Sequence, residues 1–200
     1  MDYQARTFDL PEVPGLSKEQ LDTHIGLYEG YVKHVNLLHE QLNKHAAANT
    51  EGEYTYTIQE LRRRLGFEWN GMRLHELYFE VLEGGAQTML ADSALYQALD
   101  TQYGGFSKWL EIFKKVSARG PGWAILNYDP VSKRFFNNWV ADHEIGQLAG
   151  APIVLALDHW EHAFMVDYKP SEKSTYIEKY LAAVNWKTVA ERFDGIQQAE

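Results

Sequence analysis

Asp158 and His162 stand four residues apart where an apolar run, Ile153 to Leu157, comes to an end. The run is rich in aliphatic and β-branched residues and reads as a buried strand. A carboxylate at the end of such a strand needs a partner to be tolerated. Four residues are about one helical turn, so a coil after Asp158 brings His162 back toward it. A hard oxygen donor and an imidazole on one rigid corner make half of a transition-metal site.

The other half must come from elsewhere in the chain, and two of the remaining histidines, His24 and His75, fall on inward-facing positions. One inward histidine is more often a hydrogen-bonded core residue than a ligand, and a His/Asp pair at a strand end is often a salt bridge or a helix cap. Three inward histidines with one buried carboxylate, two from each half of the chain, favour a three-His, one-Asp metal site over four coincidences. Imidazoles and a carboxylate without sulfur suit iron or manganese, and zinc or copper would bind the same set by affinity alone. With a single anionic ligand, a one-electron change at the ion can be matched by one proton with little net charge moved. Redox use is therefore more natural here than hydrolysis.

These residues need elements to position them. After an extended leader with Pro11, Pro14 and Gly15, Ser17 to about Asn43 reads as a long helix. Ser17 and Gln20 have capping-box spacing, and Leu16 with Leu21 can form a hydrophobic staple. Its inward stripe is His24, Tyr28, Tyr31, Val35, Leu38 and Leu42, at steps of three and four. Residues 44–57 read as a loop. Thr57 with Glu60 starts a short helix that Gly66 ends, and Asn70-Gly71 precedes a second long helical segment from Met72 to Leu82. The inward face of that segment is His75, Tyr78, Phe79 and Leu82, so the two long helices form a hairpin that aims His24 and His75 at one neighbour. Gly84-Gly85 ends it.

Beyond the glycines the pattern changes. Phe106 to Ala118 reads as a helix, Trp123 to Tyr128 and Lys133 to Val140 as two strands joined by a turn at Asp129-Pro130, and 152–158 as a third strand. Helices over 171–184 and 187–193 close the chain. The expected class is α+β: an N-terminal helical hairpin, residues 1–88, then an α/β domain, 89–200, with a small three-stranded antiparallel sheet.

Bulk properties narrow the partners. The net charge is −9 with no Lys/Arg-rich run, which argues against nucleic acid and anionic membranes. There is no cysteine, so thiolate ligands and disulfides are excluded. The first residues lack a basic and apolar leader pattern, and no apolar stretch reaches the roughly 18 residues that span a bilayer. A soluble cytoplasmic protein is the expectation.

At this level of detail the chain resembles the iron/manganese superoxide dismutases over nearly its whole length. Asp158-x-Trp160-Glu161-His162-Ala163 is similar to the family's D-x-W-E-H-A signature. It is supported in order by His75 ahead of Tyr78-Phe79, by Gly120-x-Gly122-Trp123, and by Asn185-Trp186 with Glu191-Arg192-Phe193. The resemblance implies dismutation of superoxide to oxygen and hydrogen peroxide by one iron or manganese ion per subunit, on His24, His75, Asp158 and His162. It implies that Trp123 and Trp160 wall the site, and that Glu161 reaches across a subunit interface to the partner's ligand histidine in a homodimer or homotetramer. Other readings are a different mononuclear non-haem metalloenzyme on the same ligands, or a non-catalytic derivative of the fold.

Several positions depart from the family pattern. Where most members read H-x-x-x-H-x-x-x-Y-V, this chain reads His24-x-x-x-Tyr28-x-x-Tyr31-Val32, so the gateway tyrosine is expected to be Tyr31, seven residues after the ligand. The family's second histidine becomes Tyr28, and its interface tyrosine becomes Met165. The glutamine that orients bound solvent is absent at Gly71, and His143 is the candidate to replace it. The arginine expected after Tyr168 is missing, and Lys173 is the nearest cation.

Overall fold

A computed structural model of the chain describes residues 2–48 and 55–199. The leader, residues 2 to 17, lies along a hairpin of two long helices, α1 (Lys18–Ala47) and α2 (Tyr56–Glu80). Tyr3 anchors it: its N–H donates to Asn36 Oδ1, and its carbonyl accepts from Asn36 Nδ2, both at 2.8 Å. Ser17 caps α1 as its type dictates, its hydroxyl accepting from Gln20 N at 3.0 Å. Leu16 and Leu21 are both buried.

The second helix differs from the sequence expectation. Thr55, not Thr57, is the cap, accepting from Ile58 N, and Glu60 turns instead to Arg63. The helix then runs without interruption through Gly66 and Asn70-Gly71. A glycine inside a helix costs about 1 kcal/mol against alanine, which packing of the buried face outweighs. At Gly71 a side chain has no room, because a Cβ there would meet Tyr31 Cδ1 at 2.7 Å and His143 Nδ1 at 2.8 Å. The expected loop over 44–57 gives way to helix through Ala47 and from Tyr56; the part over 49–54 lies outside the described residues.

A helix the sequence reading left out, α3 (Ala94–Tyr103), follows the glycine turn, then α4 (Phe106–Ser117). Three strands come next, β1 (Trp123–Asp129), β2 (Arg134–Val140) and β3 (Ile153–Asp158), and two helices close the chain, α5 (Lys173–Ala183) and α6 (Trp186–Gln198). The sheet is antiparallel in the order β2-β1-β3. Central β1 is buried from Trp123 to Tyr128, which explains its apolar run from Trp123 to Leu126; buried Asn127 donates its side-chain amide to Ala151 O at 2.9 Å. The register sets Trp123 opposite both Val140 and Asp158, so one end row of the sheet carries a wall residue and a candidate ligand side by side.

Arg192 ties the halves together. It donates to Val154 O of β3 at 2.9 Å and to Glu80 Oε2 at the end of α2 at 2.8 Å. Asn185 caps α6 and donates its N–H to Val81 O at 2.7 Å. Among the described residues no helix is long and apolar enough to cross a membrane.

Candidate metal centre

The α1–α2 hairpin presents His24 and His75, and the end of β3 presents Asp158. A short 3-10 turn, Glu161–Ala163, carries His162. One ligand atom from each of the four lies within 4.8 Å of the others. Asp158 Oδ2 is the hub, at 3.1 Å from His24 Nε2, 2.9 Å from His162 Nε2 and 3.6 Å from His75 Nε2. His24, His75 and Asp158 are buried.

Each ligand is oriented from behind. His75 Nδ1 donates to Gly71 O one turn earlier, at 2.6 Å, which fixes the ring tautomer and leaves Nε2 bare toward the cluster. Asp158 Oδ1 accepts from Trp160 N at 2.9 Å, and Tyr176 donates its hydroxyl to Asp158 O at 2.6 Å. Gln20 departs from its expected capping-box role. Its Nε2 donates to His162 O at 2.7 Å while its Oε1 accepts from Val166 N at 3.0 Å, so it fastens the ligand turn to α1. Sequence reasoning missed both Gln20 and Tyr176. Gln20 lies one turn before His24 on the inward face, the one local signal that could have marked it.

Burial drives the pKa of His24 down, and that of His75 well down, so both favour the neutral ligand form. Burial alone would raise Asp158, yet His162 and His24 beside it hold the carboxyl well below the usual range. Burial works against protonation of His162, but Asp158 carries it above its ordinary value. The result is one firm anion among imidazoles.

The donor set fits an ion on an observation independent of any relative. Among the described residues, His75 Nε2 has no hydrogen-bond partner although it is buried and faces a carboxylate. A buried polar atom in that state calls for an occupant. Three imidazole nitrogens, one hard oxygen and no sulfur suit iron or manganese.

The ring around the cluster is aromatic and tight. Trp123 lies 5.0 Å from His75 between ring centroids, and Trp160 stacks on His162 at 6.3 Å. Tyr31 is 5.1 Å from His75 and 4.9 Å from His143, whose ring is 6.1 Å from His75. His143 is buried, and among the described residues neither of its ring nitrogens has a hydrogen-bond partner. Tyr28 goes elsewhere: its hydroxyl donates to Glu76 at 3.1 Å and accepts from Arg6 N at 2.8 Å, so it anchors the leader. Glu161 is exposed, as are Met165 and Val166 nearby.

Lys173, at the start of α5, sits against His159, the residue next to Asp158, and within electrostatic reach of the Asp158 charge. Its Nζ donates to Arg119 O at 2.8 Å and Gly120 O at 3.0 Å, and lies 3.1 Å from His159 Nδ1. Burial, and next the Lys173 charge, push His159 down to about 4.

A helical hairpin joined to a three-stranded antiparallel sheet, with three histidines and one aspartate converging between them, defines a mononuclear non-haem metalloprotein. Comparison with known proteins narrows the class. The sequence model of the iron/manganese superoxide dismutases, C-terminal domain, matches residues 91–192. An iron superoxide dismutase of Saccharolobus solfataricus is 32% identical over 93% of this chain and 93% of its own length. One of Aquifex aeolicus is 32% identical over 92% of this chain and 87% of its own. A manganese superoxide dismutase of Halobacterium salinarum is 30% identical over 88% and 83%. The chain belongs to the iron/manganese superoxide dismutase family.

Proposed function

We propose that this protein dismutes superoxide at an iron or manganese ion held by His24, His75, Asp158 and His162, with His143 and Tyr31 managing the protons. The observation that carries this is the convergence of the four donor atoms within 4.8 Å. An ion held there supplies one-electron redox cycling, by which two superoxide anions become oxygen and hydrogen peroxide. The rest of the task falls to the chain. Peroxide formation consumes two protons, and Tyr31 and His143 are placed to hold and pass them. Tyr31, raised by burial and next by the Asp158 charge, keeps its proton through neutral pH and acts as a donor. Burial lowers His143, so its imidazole is neutral and can both donate and accept. Trp123 packs against His75 and Trp160 against His162, and this aromatic crowding disfavours an organic substrate and so the reading of another metalloenzyme.

The finer parts belong to the same reading. Residues 1–88 and 89–200 act as two domains, each giving two ligands; that the C-terminal family match begins at 91 supports this division. Exposed Glu161 beside His162, with Met165 and Val166, is the face on which a second copy docks, making a homodimer or homotetramer with an antioxidant role in the cytoplasm. Sedimentation velocity reads the assembly state, and Glu161→Ala should shift it toward monomer.

Metal analysis alongside a superoxide assay, after separate reconstitution with iron and manganese, tests the central claim. About one ion per subunit, with activity that His162→Ala abolishes, is expected. Bound metal without activity in either form overturns it.

A further inference from the structure

The strongest unexplained feature is the seat of Lys173. An ammonium has three N–H donors and no acceptor, and the three neighbours of Lys173 Nζ match them one for one: Arg119 O, Gly120 O and His159 Nδ1. Because Lys173 can only donate, His159 Nδ1 must be bare, so His159 is neutral with its proton on Nε2. His159 is itself immobile, being buried, next in sequence to Asp158, and donating its backbone N–H to Gly122 O at 2.9 Å. The loop that receives the ammonium leads directly into Trp123. Trp139 holds the same loop from its other side, its Nε1 donating to Pro121 O at 3.2 Å.

We propose that His159 is a positioning residue: its imidazole fixes the Lys173 ammonium on the 119–120 loop, so that a full positive charge stands at a set place beside the metal centre to favour an anionic substrate. This rests on the dismutase reading above. The choice of side chain supports it. A carboxylate at 159 would hold a lysine more strongly, but it would cancel the charge and add an anion next to Asp158. A neutral acceptor secures the cation and leaves its charge whole. The chain as a whole carries −9, so a superoxide anion is repelled overall and depends on local positive charge to enter. A purely structural alternative is that Lys173 only satisfies the carbonyls that follow the C-terminal end of α4.

The test uses metal-loaded wild type, His159→Leu, His159→Gln and Lys173→Gln. Acetylation of lysines by an N-hydroxysuccinimide ester, read peptide by peptide by mass spectrometry, reports the seat independently of activity. Lys173 should label about five-fold faster in His159→Leu, where one acceptor is lost, and return toward the wild-type rate in His159→Gln, whose amide oxygen accepts. In parallel, kcat/KM for superoxide should fall about two- to three-fold in His159→Leu at low ionic strength, with a flatter salt dependence and little difference above roughly 0.5 M salt. Lys173→Gln should show the same salt signature, and metal content should be equal in all four proteins.

Unchanged Lys173 labelling in His159→Leu overturns the proposal. So does a rate loss that is the same at every ionic strength, or loss of metal from His159→Leu, which would make His159 a mere support for Asp158. A wild type inactive with either metal overturns the dismutase reading and the steering role with it, while the labelling still decides whether His159 holds Lys173.

Discussion

The hairpin and the sheet each deliver two ligands, yet they hold them by different physics. On the hairpin, periodicity does the work. His75 is fixed by a bond to Gly71 O in its own helix, and His24 falls on the inward stripe that also carries Tyr28 and Val35. At the sheet end nothing local suffices. Asp158 is held by Trp160 N and by the Tyr176 hydroxyl from α5, and the His162 turn by Gln20 from α1, 142 residues away in sequence. Ligands set by a helix repeat tolerate changes far away, whereas ligands set by long-range hydrogen bonds fail when a distant donor is removed.

The sharpest way to break this comparison is to remove the hub. Asp158→Ala should abolish metal binding and dismutase activity, since all three histidines meet at its Oδ2. Metal analysis and the superoxide assay check this, and chelation of the wild type should likewise lower its Tm. Retained metal would mean that the histidines alone suffice.

Gly71→Ala ranks next. Its Cβ would lie under 3.0 Å from both Tyr31 and His143, and overpacking of this kind costs about 1–3 kcal/mol. Denaturant unfolding should show that loss, and activity should drop as Tyr31 and His143 are displaced. An undisturbed Gly71→Ala would show the site to be looser than the hairpin geometry requires.

Tyr176→Phe probes the long-range side. Losing its bond to Asp158 O should cost about 1–2 kcal/mol and weaken metal retention. The matching loss on the hairpin, Tyr28→Phe, should cost about 1 kcal/mol or less without affecting metal, because that hydroxyl serves Glu76 and the leader. Equal metal loss from both variants would erase the distinction between the two regions.

The smallest effect is on alkaline stability. Burial raises Tyr28 from its ordinary 10 to about 12. A group whose pKa is higher folded than unfolded stabilises the protein below the unfolded value and loses that contribution as pH rises through the folded one. Stability should therefore decline between about pH 10 and 12, and Tyr28→Phe should show a shallower decline in urea titrations across that window.

Much of this was legible in the chain itself. A strand ending on Asp158, a histidine one turn later, and His24 and His75 on inward stripes are local patterns, readable because burial imposes period and residue type on each segment. The sequence alone therefore determined the elements that bear the ligands and, through the resemblance, the family. The continuous α2 was not legible, since Gly66 and Asn70-Gly71 carry a local breaking signal that packing of the helix's buried face overrides, at Gly71 against Tyr31 and His143. Nor were the contacts of Gln20, Tyr176, His159 and Lys173. Each acts through a partner remote in the chain or through backbone carbonyls that carry no sequence signature. Tertiary structure decided those, because a hydrogen bond depends on where two groups meet in space and not on how far apart they are written.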